Sequence, residues 1–133
     1  VRNLLNKSHQ MRNLPTANNV RQEIQDKKQR EVFDKLVELV NANLTDQQFS
    51  VDHLCLELGM NRTKLYSFIK STTGMSLGNY IRKIRLDKAA ELLRTTDMSI
   101  SEVGYAVGIE SPSYFTRTFK EQFGSSPSEF IKH

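Results

Sequence analysis

Residues 99–108 read SISEVGYAVG, and residues 50–59 read SVDHLCLELG, with serine, apolar residues and glycine at matching places. Two later stretches, residues 65–76 and 115–126, align in the same way with one residue added in between. Self-similarity at a fixed period indicates a repeated structural unit. The sequence therefore predicts that one unit occurs twice in this chain.

The two copies agree both in residues that shape helices and in residues that fill a core. Small and charged residues recur as identities, whereas large side chains are replaced by other apolar ones. The identical pairs are Ser50/Ser99, Gly59/Gly108, Lys70/Lys120, Gly74/Gly124 and Ser76/Ser126, and the apolar pairs are Leu54/Val103, Leu58/Val107, Leu65/Phe115 and Ile69/Phe119.

Each copy has the signals of a helix, a tight turn and a second helix. In the second copy Ser99 and Glu102 have the spacing of a capping box, and Gly108 supplies a helix stop. Ser111 followed by Pro112 predicts an N-cap with proline at the first helical position. The corresponding residues of the first copy are Ser50, Gly59 and Asn61.

A small residue stands four positions before each turn glycine, Cys55 in one copy and Gly104 in the other. We expect two helices to cross closely there, with Cys55 buried. One cysteine supplies neither an internal disulfide nor a second thiolate for zinc. His9, His53 and His133 are too scattered to suggest a metal site. We therefore expect no metal and no cofactor.

A long helix is predicted between the copies. Residues 77–94 contain no helix breaker after Gly78 and span about 27 Å at 1.5 Å per residue. The apolar face changes side along this helix, so its two halves are expected to pack against different bodies. The early face has Leu77, Tyr80, Ile81 and Ile84, and the late face has Leu86, Ala89, Ala90 and Leu93.

Further helices flank the repeat. Residues 1–30 are polar, and we interpret them as a linker that is partly helical at best. Apolar residues at steps of three and four predict a helix from Glu31 to near Asn43. A short closing helix is indicated by Ser126, Pro127 and Glu129. The predicted fold is all-α, with about seven helices and two helix-turn-helix subdomains joined by a long linker helix.

The composition fits a cytoplasmic protein with a polyanionic partner, although charge alone does not decide the function. The 133 residues are 38% hydrophobic and 26% charged, which allows a core, and no apolar run approaches the roughly 18 residues of a membrane span. The net charge is +4. The chain starts without Met or a signal peptide, and we expect it to be a piece of a longer protein.

No paired carboxylates, phosphate loop or nucleophile elbow indicates an enzyme in this segment.

A helix-turn-helix can place its second helix in the major groove of DNA, and two units on a stiff helix could enter successive grooves about 34 Å apart. We expect the second helix of each copy to direct its polar side chains toward DNA. The expected phosphate contacts are Arg62, Lys64, Lys70 and Lys120.

Residues 50–130 closely resemble the AraC/XylS family of bacterial transcription regulators. The strongest match is residues 108–120, GIESPSYFTRTFK, followed by Gly124 and Pro127. The resemblance implies homeodomain-like units whose two recognition helices read adjacent major grooves. It places base contacts at Thr63, Tyr66 and Ser67 in the first copy and at Pro112, Ser113, Thr116 and Arg117 in the second.

This sequence departs from the family pattern in three places. The first copy has neither tryptophan nor arginine among its three base-contacting residues. Ile109 replaces the usual phenylalanine, which we interpret as a packing substitution, and Ile131 replaces a common basic residue. The aromatic residues Tyr114, Phe115, Phe119 and Phe123 are expected to serve mainly as core rather than to stack on bases.

Residues 1–5, VRNLL, resemble the joint that follows the receiver domain in large two-component regulators. The predicted arrangement of the whole sequence is a linker or partly helical N-terminal segment over residues 1–30 and an AraC-type DNA-binding domain over residues 31–133. In that domain the first helix-turn-helix covers about 50–74, the linker helix about 76–95 and the second helix-turn-helix about 99–124. An upstream part would sense the signal and carry any kinase or receiver activity.

The expected partner is double-stranded DNA, with no membrane contact by this segment. Homodimerisation is left open, and RNA polymerase is the expected partner if the protein is an activator. The alternative is a helical module that binds protein and not DNA. Salt separates the two, because neutralising phosphates makes DNA affinity fall steeply with ionic strength.

Overall fold

The computed structural model describes residues 17–46 and 48–131, and within these ranges the chain is helical with no strand. This confirms the predicted all-α class. None of the described helices has the length and apolar character needed to cross a membrane. In chain order the helices are α1 (Ala17–Ala42), α2 (Val51–Leu58), α3 (Arg62–Thr73), α4 (Leu77–Thr95), α5 (Ile100–Ala106), α6 (Pro112–Phe123) and α7 (Pro127–Ile131).

The helix starts lie where the capping residues predicted them. Ser50, Asn61, Ser99 and Ser111 are the N-caps of α2, α3, α5 and α6. Each side chain accepts a hydrogen bond from the backbone N–H three residues later, which satisfies a donor that the helix itself leaves without a partner. The starts of these four helices therefore follow from local hydrogen bonding.

The turn glycines adopt the backbone conformation that the sequence predicts for them. Gly59 has φ 67° and Gly108 has φ 81°, in the left-handed region that side chains disfavour. Gly104 serves close packing instead: a Cβ added there would lie 3.0 Å from the Ile109 carbonyl oxygen and 3.3 Å from Phe115 Cδ2. The expected close crossing in the second copy is confirmed, but Cys55 in the first is half-buried rather than buried.

Helix α1 begins at Ala17, well before the predicted start at Glu31. The added turns have no buried stripe, and Val20 and Ile24 are 41% and 50% exposed. Hydrophobic periodicity reports burial, so it cannot detect a solvated helix. The residues there are mostly good helix formers, and Gln22 donates to Asp26 one turn later, at 2.9 Å. Residues 1–16 lie outside the described residues.

The described residues from Lys35 to Ile131 form one compact unit around the linker helix α4. Helix α4 contacts α3 on one side and α5, α6 and α7 on the other. This confirms that one helix supports both copies with a rotated apolar face. Its buried residues are Leu77, Ile84, Leu86, Ala89, Ala90 and Leu93.

The second copy has an aromatic core. Phe115 and Phe119 are at most 1% exposed, and their rings meet edge to face at 5.8 Å. Phe123 packs against Phe119 at 4.5 Å, so the inward role expected for these three rings is confirmed. Ile109 is buried in the same cluster, as expected of a packing substitution, whereas Ile131 is 48% exposed.

Candidate nucleic-acid interface

The second helix of each copy has one buried face and one exposed face. In α3 the buried side chains are Leu65 and Ile69, and in α6 they are Phe115, Thr118 and Phe119. This amphipathic pattern fixes which side of each helix reaches solvent. All seven residues expected to contact bases are exposed, namely Thr63, Tyr66, Ser67, Pro112, Ser113, Thr116 and Arg117.

The exposed residues occupy the same helical positions in both copies. Thr63, Tyr66 and Ser67 are spaced i, i+3 and i+4, which places them on one face of α3. Ser113, Thr116 and Arg117 repeat this spacing on α6. Each copy therefore presents a short polar face that begins in the first turn of its second helix.

The expected phosphate contacts Arg62, Lys64, Lys70 and Lys120 are also exposed. Lys70 Nζ donates to the Gly74 carbonyl oxygen at 3.0 Å, so its ammonium lies at the end of α3. An ammonium has three N–H donors, and this bond uses one of them.

Arg62 is held by two neighbours that the sequence analysis did not connect with it. Its Nε donates to Asp52 Oδ1 at 3.0 Å, and its Nη1 donates to the Tyr66 hydroxyl at 3.4 Å. The hydrogen bond and charge of Asp52 raise the pKa of the Arg62 guanidinium. Arg62 therefore connects Asp52 of α2 with Tyr66 on the exposed face of α3.

Tyr114 organises the corresponding face of α6. The guanidinium carbon of Arg117 lies 5.3 Å from the centroid of its ring, within the range of a cation–π contact. Its hydroxyl accepts a hydrogen bond from Arg82 Nη1 of the linker helix, at 3.2 Å. The sequence analysis missed the role of Arg82, because a contact between residues 32 positions apart leaves no periodic signal.

A family model described as a helix-turn-helix domain matches residues 54–133. The chain is 37% identical over 100 residues to Histidine kinase P4 of Formosa agariphila, which covers 75% of this chain and 7% of that protein. It is 35% identical over 95 residues to the F1 operon positive regulatory protein of Yersinia pestis, covering 71% of this chain and 32% of that protein. The chain thus spans less than a third of the length of either relative.

Solved structures share the architecture. An AraC-type DNA-binding regulator from Chromobacterium violaceum superposes with a TM-score of 0.70 at 29% identity, covering 81% of this chain and 92% of that one. The chain belongs to the AraC/XylS family. The matched residues begin within α2 and include the rest of the first helix-turn-helix and all of the second, in a class of DNA-binding transcription regulators.

Two further AraC-type neighbours bear on how such a domain is used. The DNA-binding domain of AdpA, solved in complex with a target DNA, has a TM-score of 0.63 at 29% identity, covering 78% of this chain and 89% of that one. The C-terminal domain of AraT, a response regulator from Geobacillus stearothermophilus, has a TM-score of 0.63 at 27% identity, covering 76% and 84%.

Proposed function

We propose that this chain binds two successive major grooves of one DNA site, with α3 in one groove and α6 in the next. The observation that carries the proposal is the pair of exposed polar faces at equivalent repeat positions on α3 and α6. A major groove about 12 Å wide accepts one α-helix, and one continuous helix, α4, supports both readers.

The two faces have different chemistry, which suggests different contributions to specificity. Arg117 carries a guanidinium, whose paired donors match the O6 and N7 acceptors of guanine. Its repeat equivalent in α3 is Ser67, a short side chain with less reach. Base contacts are assigned to Thr63, Tyr66, Ser67, Pro112, Ser113, Thr116 and Arg117, and phosphate contacts to Arg62, Lys64, Lys70 and Lys120.

Selection of bound sequences from random duplexes tests this function directly. The expected product is a pair of short motifs whose centres lie about 10–10.5 base pairs apart, one helical turn. We expect the motif under α6 to be the more sharply defined, because Arg117 lies there. Recovery of a single motif, or of none, would contradict reading of two grooves.

Salt dependence distinguishes this function from binding to a protein partner. A chain that neutralises Z phosphates loses affinity with a slope of about −0.9Z in a plot of log K against log salt. Replacing Lys70 and Lys120 by alanine together should make the slope shallower by up to about two units. A flat slope for the wild-type chain would favour a protein-binding module.

We also propose that the segment is the output part of a cytoplasmic two-component protein. The likeness to the C-terminal domain of a response regulator and to a protein named as a histidine kinase supports this arrangement. Residues 1–30 would form the connecting segment and residues 31–133 the DNA-binding domain. An upstream signal would act by promoting dimerisation or by freeing the DNA surface, and an activator would contact RNA polymerase.

A further inference from the structure

Arg85 of the linker helix α4 connects the segment that leads into the first copy with the turn of the second copy. Its Nη1 donates to the carbonyl oxygen of Leu44 at 2.6 Å and to that of Val107 at 2.7 Å. Leu44 belongs to the connection between α1 and α2, and Val107 is the C-cap of α5. A terminal guanidinium nitrogen has two N–H groups, so one atom can serve both bonds.

The surroundings of Arg85 favour this arrangement over a solvated one. The side chain is half-buried, and burial lowers the pKa of its guanidinium, although an arginine keeps its charge at neutral pH. A charged group taken out of water needs hydrogen-bond partners, and the two carbonyl oxygens supply them. Removing the guanidinium would leave both carbonyl oxygens without this donor.

Gly108 provides the space for the contact. A Cβ at this position would overlap both the Arg85 guanidinium and the Leu44 carbonyl oxygen. The turn of the second copy can therefore approach the α1–α2 connection only with glycine here. The equivalent Gly59 has no atom within 4 Å of an added Cβ, so the close approach is particular to the second copy.

The contact lies beside an open seam. A cleft of about 520 Å³ separates residues of the α1–α2 connection, such as Phe49, from Tyr105 and Glu110 of the second copy. The Leu44 side chain packs against the core of the second copy. The rest of the cleft is not filled by side chains of the described residues. Paired hydrogen bonds to backbone atoms fix direction more strictly than apolar contact does.

We propose that Arg85 is a positioning residue that sets the angle between the two DNA-reading helices and so determines which half-site spacing the protein accepts. The proposal rests on the function proposed above. Arg85 contacts neither base nor phosphate in this role. It acts by holding the turn before α6 against the chain segment that leads into α2 and α3.

The experiment compares wild type with Arg85→Met on three duplexes: the selected site, the same site with two base pairs inserted between the half-sites, and a site with the α3 half scrambled. Two base pairs rotate one half-site by about 70° relative to the other. Lys88→Met is the matched control, since Lys88 is a cation of the same helix that pairs with Glu91 at 3.0 Å. Circular dichroism confirms folding at the working temperature.

Linked binding of two half-sites increases affinity by about 10²–10⁴-fold when the geometry fits. We therefore expect the insertion to weaken wild type and Lys88→Met by about 100-fold, toward their affinity for the scrambled site. Arg85→Met should lose about tenfold on the selected site and less than about tenfold more on insertion. Its affinity for the scrambled site should stay within about twofold of wild type.

If the two-base-pair insertion weakens binding by Arg85→Met as much as it weakens binding by wild type, the positioning role is overturned. If Arg85→Met is unfolded, Arg85→Gln takes its place with the same expectations, because glutamine is too short to bridge both carbonyls. Unfolding of both variants would assign Arg85 to stability and not to positioning. A wild-type chain that is indifferent to the insertion would instead refute the two-groove function on which this inference rests.

Discussion

At the scale of single residues, Arg117 is the side chain from which we expect the largest contribution to base reading. If Arg117 reads a base as proposed, Arg117→Ala should weaken binding to the selected site by about 1–3 kcal/mol, because the variant cannot make a bidentate contact to guanine. Affinity measured by fluorescence anisotropy on selected and random duplexes gives the comparison. Lys88→Ala removes a cation elsewhere and should leave the ratio unchanged.

The comparison with random DNA decides what Arg117 contacts. If it reads a base, the loss is confined to the selected sequence and the specificity ratio falls. Equal losses on both duplexes would make Arg117 a phosphate contact.

Leu65 and Leu56 are two leucines of the first copy with opposite surroundings. Leu65 is fully buried and Leu56 is 77% exposed. Leu65→Ala should lower the free energy of unfolding by about 2–5 kcal/mol through lost apolar contact and an unfilled cavity. Leu56→Ala should change it by less than about 0.5 kcal/mol. Urea denaturation measures both, and a small effect at Leu65 would contradict the core described here.

The sequence predicted which residues of α3 and α6 are exposed, because the repeat and the apolar stripe together define one outward face. It did not predict the neighbours of those residues. Arg62 bonds Asp52, and Arg82 of the linker helix bonds Tyr114. Such contacts depend on tertiary geometry that local sequence patterns do not encode. Cys55 was expected to be buried at a close helix crossing like Gly104, but its side chain is only half-buried.

At the scale of helices, capping was the most reliable sequence signal. A cap depends on a side chain and a backbone N–H three residues apart, so the whole interaction is written in adjacent sequence. The start of α1 lacked such local evidence, because residues 17–30 bury no stripe. The capped helix starts were predicted because their signal is a local hydrogen bond. The start of α1 was missed because the signal used for it was burial.

The capping box of α5 gives a prediction with a defined pH dependence. Ser99 N–H donates to Glu102 Oε1 at 2.7 Å, and this bond lowers the pKa of Glu102 in the folded state. A carboxylate with a lowered folded pKa stabilises fully above its unfolded pKa, about 4.3, and loses that contribution as pH falls through the folded value.

Glu102→Gln keeps an oxygen acceptor for Ser99 but cannot ionise. We expect wild type to melt at a higher temperature than this variant at neutral pH, and the difference to shrink as pH falls below about 4.3. Thermal melts of both proteins across this range provide the test. A difference that is independent of pH would mean that the Glu102 charge does not contribute.

At the scale of the whole molecule, α4 is the structural element that the two copies share. Ile84→Pro removes a helical N–H and introduces a clash with the preceding turn, at a cost of about 3 kcal/mol or more. Ile84 is 5% exposed, so Ile84→Val serves as a control that trims the same buried site at about 0.5–1.5 kcal/mol. In a DNA footprint, we expect Ile84→Pro to lose the joint protection of the two grooves. The control Ile84→Val should keep it. Unchanged stability together with an unchanged footprint would argue against a supporting linker helix.

The turn glycines of the two copies, Gly59 and Gly108, differ in how well they should tolerate substitution. Asparagine accepts a left-handed backbone better than most residues do. Gly59→Asn should therefore melt close to wild type, because an added Cβ there meets no atom within 4 Å. Gly108→Asn should melt far lower, because its Cβ would displace Arg85 and the Leu44 carbonyl. The turn of the first copy is thus open to redesign, whereas that of the second is restricted to a residue without a side chain.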